Sequence, residues 1–179
     1  MRKNIFLIGF LLAGSMGLSG YVLPRGIRQK VEKEVERTFE VTDFSLEALT
    51  ISEQVNEGLP LHINGDNFFR IQKGSALLGY AFVDQAPSKT AVFDYLVLFN
   101  PSLQVIHSKI LVYREEYGGE IGSRRWLRQF DGLTGRDRVS MNGNIDAISG
   151  ATISARSMTR SMDNLLQTIG KLQENHVLP

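Results

Sequence analysis

The first apolar block runs without a charge from Ile5 to Leu23, behind Arg2 and Lys3, and has about the length that crosses a bilayer core as a helix. It has no polar face, so it reads as a membrane anchor or export signal rather than a buried core helix. Small residues from Gly14 to Gly20 offer a processing site. Tyr21, Val22 and Leu23 carry the apolar run past that site and favour retention as an anchor. Pro24 ends the run. Beyond it, Ile27, Val31, Val35 and Phe39 recur every four residues with charges between them, which predicts an amphipathic helix over 25–39 that packs its stripe on the domain.

From Phe68 the pattern changes to that of strands, expected over 68–72, 78–83, 93–99 and 103–113, with the last two forming a long hairpin. Lys73-Gly74-Ser75, Ala86-Pro87-Ser88 and Asn100-Pro101-Ser102 separate them. A polar stretch from Arg114 to Gly122 follows, containing Gly118-Gly119, and then an amphipathic stretch around Trp126, Leu127 and Phe130, with Trp126 expected in the core. Gly132, Gly135 and an Asn142-Gly143 turn lead to a final helix. Its apolar stripe is Met158, Met162, Leu165, Leu166, Ile169 and Leu172, and it begins within a few residues of Thr152. These elements predict an α+β fold: an antiparallel β-sheet packed with helices, preceded by an N-terminal transmembrane or signal helix. The expected divisions are 1–24 for the anchor, 25–60 for the amphipathic helix and linker, and 61–179 for the globular domain.

At 179 residues and 42% hydrophobic, the chain can bury one core. Twenty basic and 19 acidic side chains leave a net charge of +1, and the longest basic cluster, Arg124-Arg125 with Arg128, fits the solvated face of a short helix, so no nucleic-acid partner is expected. Cysteine is absent, which excludes disulfides, cysteine-ligated iron-sulfur clusters, thioether-linked haem and a lipidated cysteine. His62, His107 and His176 are too scattered to suggest a zinc site. A redox role would therefore need an organic cofactor.

The segment Asp146-Ala147-Ile148-Ser149-Gly150-Ala151-Thr152 carries the candidate chemistry. Gly150-Ala151 keep bulk away from the Thr152 hydroxyl and permit a tight turn, while the helix beyond can aim unpaired N–H groups and its positive end at an anion. Ser149 is suited to bond backbone groups in the turn, and Asp146 to hold the turn or help position a metal ion. A plain connection into a helix, with capping residues, would use the same residue types.

The segment resembles the flavinylation motif Asp-x-x-(Ser/Thr)-Gly-Ala-(Ser/Thr) of the FMN-binding domain family, which includes the C subunit of the sodium-pumping NADH:quinone reductase and the G subunit of the related ferredoxin:NAD oxidoreductase complex. The resemblance extends over about Phe68 to Leu166, through Gly79-Tyr80, the hairpin of Asp94–Phe99 with Val105–Val112, and Glu115 to Gly119. Many members carry Glu-Thr-Pro-Gly in that last loop, where this chain has Glu115-Glu116-Tyr117-Gly118-Gly119 and lacks the Thr-Pro pair. The resemblance implies FMN joined covalently to Thr152 by a phosphoester, with Asp146, Ser149, Gly150 and Ala151 forming the turn. Glu115, Tyr117, Gly118 and Gly119 would border the flavin, with Tyr117 able to stack on it. Ser149 and Ser154 offer hydroxyls nearby, and Ser154 is expected to matter little.

The resemblance further implies maturation by an FAD-dependent, magnesium-requiring FMN transferase. FMN accepts one or two electrons, and the protein supplies position and potential. With no Gly-x-Gly-x-x-Gly and no cysteine set, the chain reads as an extracytoplasmic electron carrier rather than a complete enzyme. Its expected donor is a membrane redox partner such as a quinol or a reductase subunit, and its acceptor is left open. The alternatives are an extracytoplasmic flavin-dependent reductase of a small substrate, for which no acid-base pair stands out, and a non-catalytic envelope binding domain.

Overall fold

The computed structural model describes residues 23–141 and 143–179. The apolar run 5–22, and with it the expected anchor or signal helix, lies outside the described residues. No helix among the described residues is long and apolar enough to cross a membrane.

Five strands form one antiparallel meander in chain order: β1 (Ser45–Ala48), β2 (Phe68–Lys73), β3 (Ala76–Pro87), β4 (Val92–Phe99) and β5 (Val105–Val112). Helix α1 (Arg25–Phe39) covers one face of the sheet and the long helix α4 (Thr152–Glu174) the other, with the short helices α2 (Glu53–Asn56) and α3 (Arg124–Leu127) packing on the α4 side. The expected α+β sheet with helices is what forms.

The period of two along β4 explains the layering. Phe93, Tyr95, Val97 and Phe99 enter the larger core with Met158, Met162, Leu165, Leu166, Ile169 and Leu172 of α4. Leu96 and Leu98 face the other way, onto Val31 and Val35 of α1. Strand β4 is buried on both faces and so reads as one apolar run. Sheet burial also accounts for α1, whose stripe docks on Phe69, Ile71, Ala81 and Val83 rather than standing clear of the domain. Lys30 Nζ donates to the Leu111 carbonyl at 2.8 Å, and buried Glu34 meets His107 at 3.1 Å. Burial, followed by the Arg124 charge, holds the His107 imidazole below its ordinary pKa.

The boundaries differ most from the pattern in two places, besides the start of β5 at Val105 rather than at 103, where Leu103 belongs to the turn at φ +61°. Strand β3 reaches Pro87, because its whole second half pairs with β4 from Tyr80↔Phe99 to Pro87↔Val92. The stretch between α1 and residue 61, expected as linker, contains the edge strand β1 and α2.

Candidate functional site

Three segments meet at one end of the sheet: the turn from β3 to β4, the residues just after β5, and the first turn of α4. Each is anchored in the fold before it reaches the surface. The Tyr113 ring lies 6.0 Å from that of Phe93, Ala155 and Met158 are fully buried, and Arg114 bonds both Asp94 Oδ2 at 2.5 Å and the Val92 carbonyl at 3.0 Å. Between the segments is a cavity of about 410 Å³ lined by Lys89, Tyr113, Glu115, Tyr117, Gly118 and the run Gly150 to Ser154.

Thr152 is the first residue of α4. The chain arrives through Gly150 at φ +84°, Ala151 donates its N–H to the Ile148 carbonyl at 3.2 Å, and Ala151 itself is buried. No side chain caps the helix, so the first-turn N–H groups that lack an intrahelical acceptor stay open beside Thr152. The Thr152 side chain is exposed, and its hydroxyl makes only a long bond of 3.3 Å to the Ile148 carbonyl.

The expected site residues divide. Gly150, Ala151, Thr152, Glu115, Tyr117 and Gly118 line the one cavity; Gly119 begins a 3-10 turn over Gly119–Gly122 that leads away from it. Asp146 and Ser149 lie on the other side of the motif, facing a second cavity of about 430 Å³ with Glu120, Trp126 and Gln129. There the Asp146 backbone holds the turn: its N–H donates to Gln129 Oε1 and its carbonyl accepts from the Trp126 indole, both at 2.8 Å, while the carboxylate remains exposed. Trp126 is buried edge-on to Phe130.

Glu115 faces the cavity but is committed to the neighbouring turn. Its Oε1 accepts from the Ser88 hydroxyl at 2.5 Å, the Thr90 N–H at 2.7 Å and the Ala91 N–H at 3.1 Å. The Ser88 hydroxyl, then the Thr90 N–H, hold its carboxyl below the usual range. This network brings Lys89 to the cavity wall, a residue with no local sequence signal because only the turn's tertiary tie places it. Tyr117 and Ile153 are 81% and 52% exposed at the rim, two large apolar surfaces left open beside the same space.

Ser154, two residues into α4, turns inward beside Thr152. It is 3% exposed, and its hydroxyl meets the Tyr113 hydroxyl at 2.9 Å. Tyr113 also donates to the Tyr117 carbonyl at 3.1 Å. Gly118 completes the junction at φ +89°, where a Cβ would stand 2.5 Å from Tyr113 Oη and 3.7 Å from Ala151 Cα. Positive φ and this close approach together require glycine there.

Residues 92–167 match the family model of the FMN-binding domain. Over that span the chain is similar to an FMN-binding domain. The matched span opens on β4, ends within α4, and includes both the Glu115–Gly119 loop and the Asp146–Thr152 motif. Among solved structures, the crystal structure of Shewanella oneidensis NqrC is similar at a TM-score of 0.47 and 17% identity, over 72% of this chain and 70% of that one. A comparison with curated proteins finds no match. Among the described residues, no group of three His, Asp or Glu side chains is placed to hold a metal ion.

Proposed function

We propose that this chain is an electron-transfer carrier whose FMN is held by a phosphoester to Thr152. The observation that carries the reading is the coincidence at Thr152: an exposed hydroxyl with one weak bond, at the uncapped start of a 23-residue helix, on the wall of a cavity that contains the Gly118 loop. The open N–H groups and the positive helix end favour the single negative charge of a phosphodiester, and Lys89 adds a cation to the same cavity. Tyr117 and Ile153 offer apolar surface for a planar ring. When bound, FMN supplies one- or two-electron redox chemistry.

In attachment, Thr152 Oγ1 forms a bond to the flavin-side phosphorus of FAD. The P–O bond of the pyrophosphate breaks, AMP leaves, and the threonine proton passes to a base of the transferase. Covalency keeps the cofactor from being lost on the extracytoplasmic side of the membrane, the location that Arg2-Lys3 and the apolar run 5–23 support. A quinol or reductase subunit in that membrane would serve as donor. The chain has no second cofactor motif, which favours a carrier over a complete enzyme.

Co-expression with an FAD-dependent FMN transferase, followed by intact-mass and peptide mass spectrometry, tests the reading. Wild-type protein should gain one FMN mass on Thr152, Thr152→Ala none, and Thr152→Ser at least part of the wild-type amount. Labelling that persists in Thr152→Ala, or wild-type protein that never labels, overturns it.

A further inference from the structure

We infer that the Tyr113 hydroxyl is a positioning latch: it joins the Tyr117-Gly118 backbone to the first turn of α4 and so fixes Thr152 in the geometry from which it is modified. The inference rests on Thr152 being the attachment residue, as proposed above. The direction of each hydrogen bond follows from valence. The Tyr117 carbonyl can only accept, so Tyr113 gives it its one proton at 3.1 Å, and the 2.9 Å contact must then be Ser154 donating to Tyr113. Both hydroxyl protons are thereby assigned, and three chain segments are tied through one oxygen.

The position of that oxygen is set from below. The Tyr113 ring packs on Phe93, a fully buried side chain of β4, so the sheet fixes the ring. The space around the hydroxyl is shaped to admit it, since a Cβ on Gly118 would stand 2.5 Å from Oη. At the start of α4, residues two apart face nearly opposite sides. Pulling Ser154 inward onto Tyr113 therefore turns Thr152 outward, between buried Ala151 and buried Ser154. Burial removes Ser154 from competition as a nucleophile: the bond to Tyr113 holds its hydroxyl turned inward and its side chain is 3% exposed. Geometry thus selects Thr152 among neighbouring hydroxyls of similar chemistry.

The test uses the full chain with Tyr113→Phe, which keeps the ring against Phe93, with Ser154→Ala, and with both changes. Initial rates of covalent labelling are followed by intact mass at fixed transferase, alongside thermal melting of the unlabelled proteins. Loss of hydrogen bonds of ordinary strength predicts labelling slowed by about three- to tenfold in Tyr113→Phe. The double variant should be no slower than Tyr113→Phe alone, because both changes break one device. A merely structural role would lower melting and labelling together and let the two effects multiply, so multiplication overturns the latch, as does wild-type labelling in Tyr113→Phe. Amide hydrogen exchange on the unlabelled protein separates the latch from the reading it rests on: Tyr113→Phe should speed exchange together at Ile121 and Ala155, whose N–H groups donate to the Gly118 and Ala151 carbonyls on the two segments the latch joins. Unchanged exchange at either segment overturns the latch even where Thr152 labels. Wild-type protein that never labels overturns the attachment reading and the role assigned to the latch.

Discussion

Gly118→Ala isolates what the junction around Tyr113 contributes, because Gly74 provides a control with the same kind of backbone. Both glycines have positive φ, +89° and +56°, so alanine at either incurs the left-handed penalty of roughly 1 kcal/mol. At Gly74 nothing lies within 4 Å of the added Cβ, whereas at Gly118 the Cβ falls 2.5 Å from Tyr113 Oη. Oη must then withdraw and give up its bonds to Tyr117 and Ser154, at about 1 kcal/mol each. The expected costs are therefore roughly 3 kcal/mol for Gly118→Ala and roughly 1 kcal/mol for Gly74→Ala, a difference that moves the melting temperature of a chain this size by about 4–8 °C. Urea and thermal unfolding of both variants provide the comparison. The decisive arm repeats Gly118→Ala in Tyr113→Phe, where the oxygen is gone and the next atom, Cζ, lies at an ordinary 3.6 Å. There the cost should fall to that at Gly74. An equal cost in both backgrounds would refute the assignment to the hydroxyl.

Two further outcomes test how α4 is held in place. Helix propensity alone makes Gly170→Ala stabilising by up to about 1 kcal/mol. The Gly170 Cβ would instead strike the Gly135 carbonyl oxygen, a backbone group that cannot step aside, so destabilisation by about 2 kcal/mol is expected in urea unfolding. Asp163 takes a bidentate bond from Arg138 and a further one from the Val139 N–H, and Arg138 first among its partners holds its carboxyl below the ordinary 3.8. A depressed folded-state pKa stabilises above the unfolded value and loses that contribution as pH falls through the folded one. Asp163→Asn should therefore cost about 1 kcal/mol at neutral pH, and the gap should close as pH falls through and below the ordinary carboxylate range when both proteins are unfolded with urea across that range.

The parts legible in the sequence are those governed by period. The stripes of α1 and α4 bury a face at a regular spacing, the four longer strands show as apolar runs, and their cores follow directly. Strand β1 escaped because Leu46 alone of its four residues is half-buried while Ser45, Glu47 and Ala48 are exposed, so an edge strand this short leaves no alternation to read. The motif was legible as a string, but its two-sidedness was not, since only the Trp126 and Gln129 bonds turn Asp146 away from the Thr152 cavity. The places of Lys89, Tyr113 and Ser154 are not legible in the sequence for a related reason: each acquires its position from a contact across 25 or more residues, Lys89 through the Thr90–Glu115 bond and the other two through each other.

The site's shape bears on why attachment would be covalent. A dissociable cofactor at low concentration needs an enclosing pocket, which for small ligands means burial of roughly 70–90% of their surface. Here the cavity is bordered by side chains as exposed as Tyr117 at 81% and Ile153 at 52%, a poor enclosure for a free flavin. A tether changes the requirement, because a linked ligand meets its site at an effective concentration on the order of millimolar, and weak contacts then suffice to keep it seated. The same exposed rim leaves one side of a seated ring open to a partner, which an electron carrier needs and an enclosing pocket would deny. Rigidity accordingly matters at the point of attachment, and at the start of α4 it is supplied by buried Ala151 and by the Ser154–Tyr113 bond.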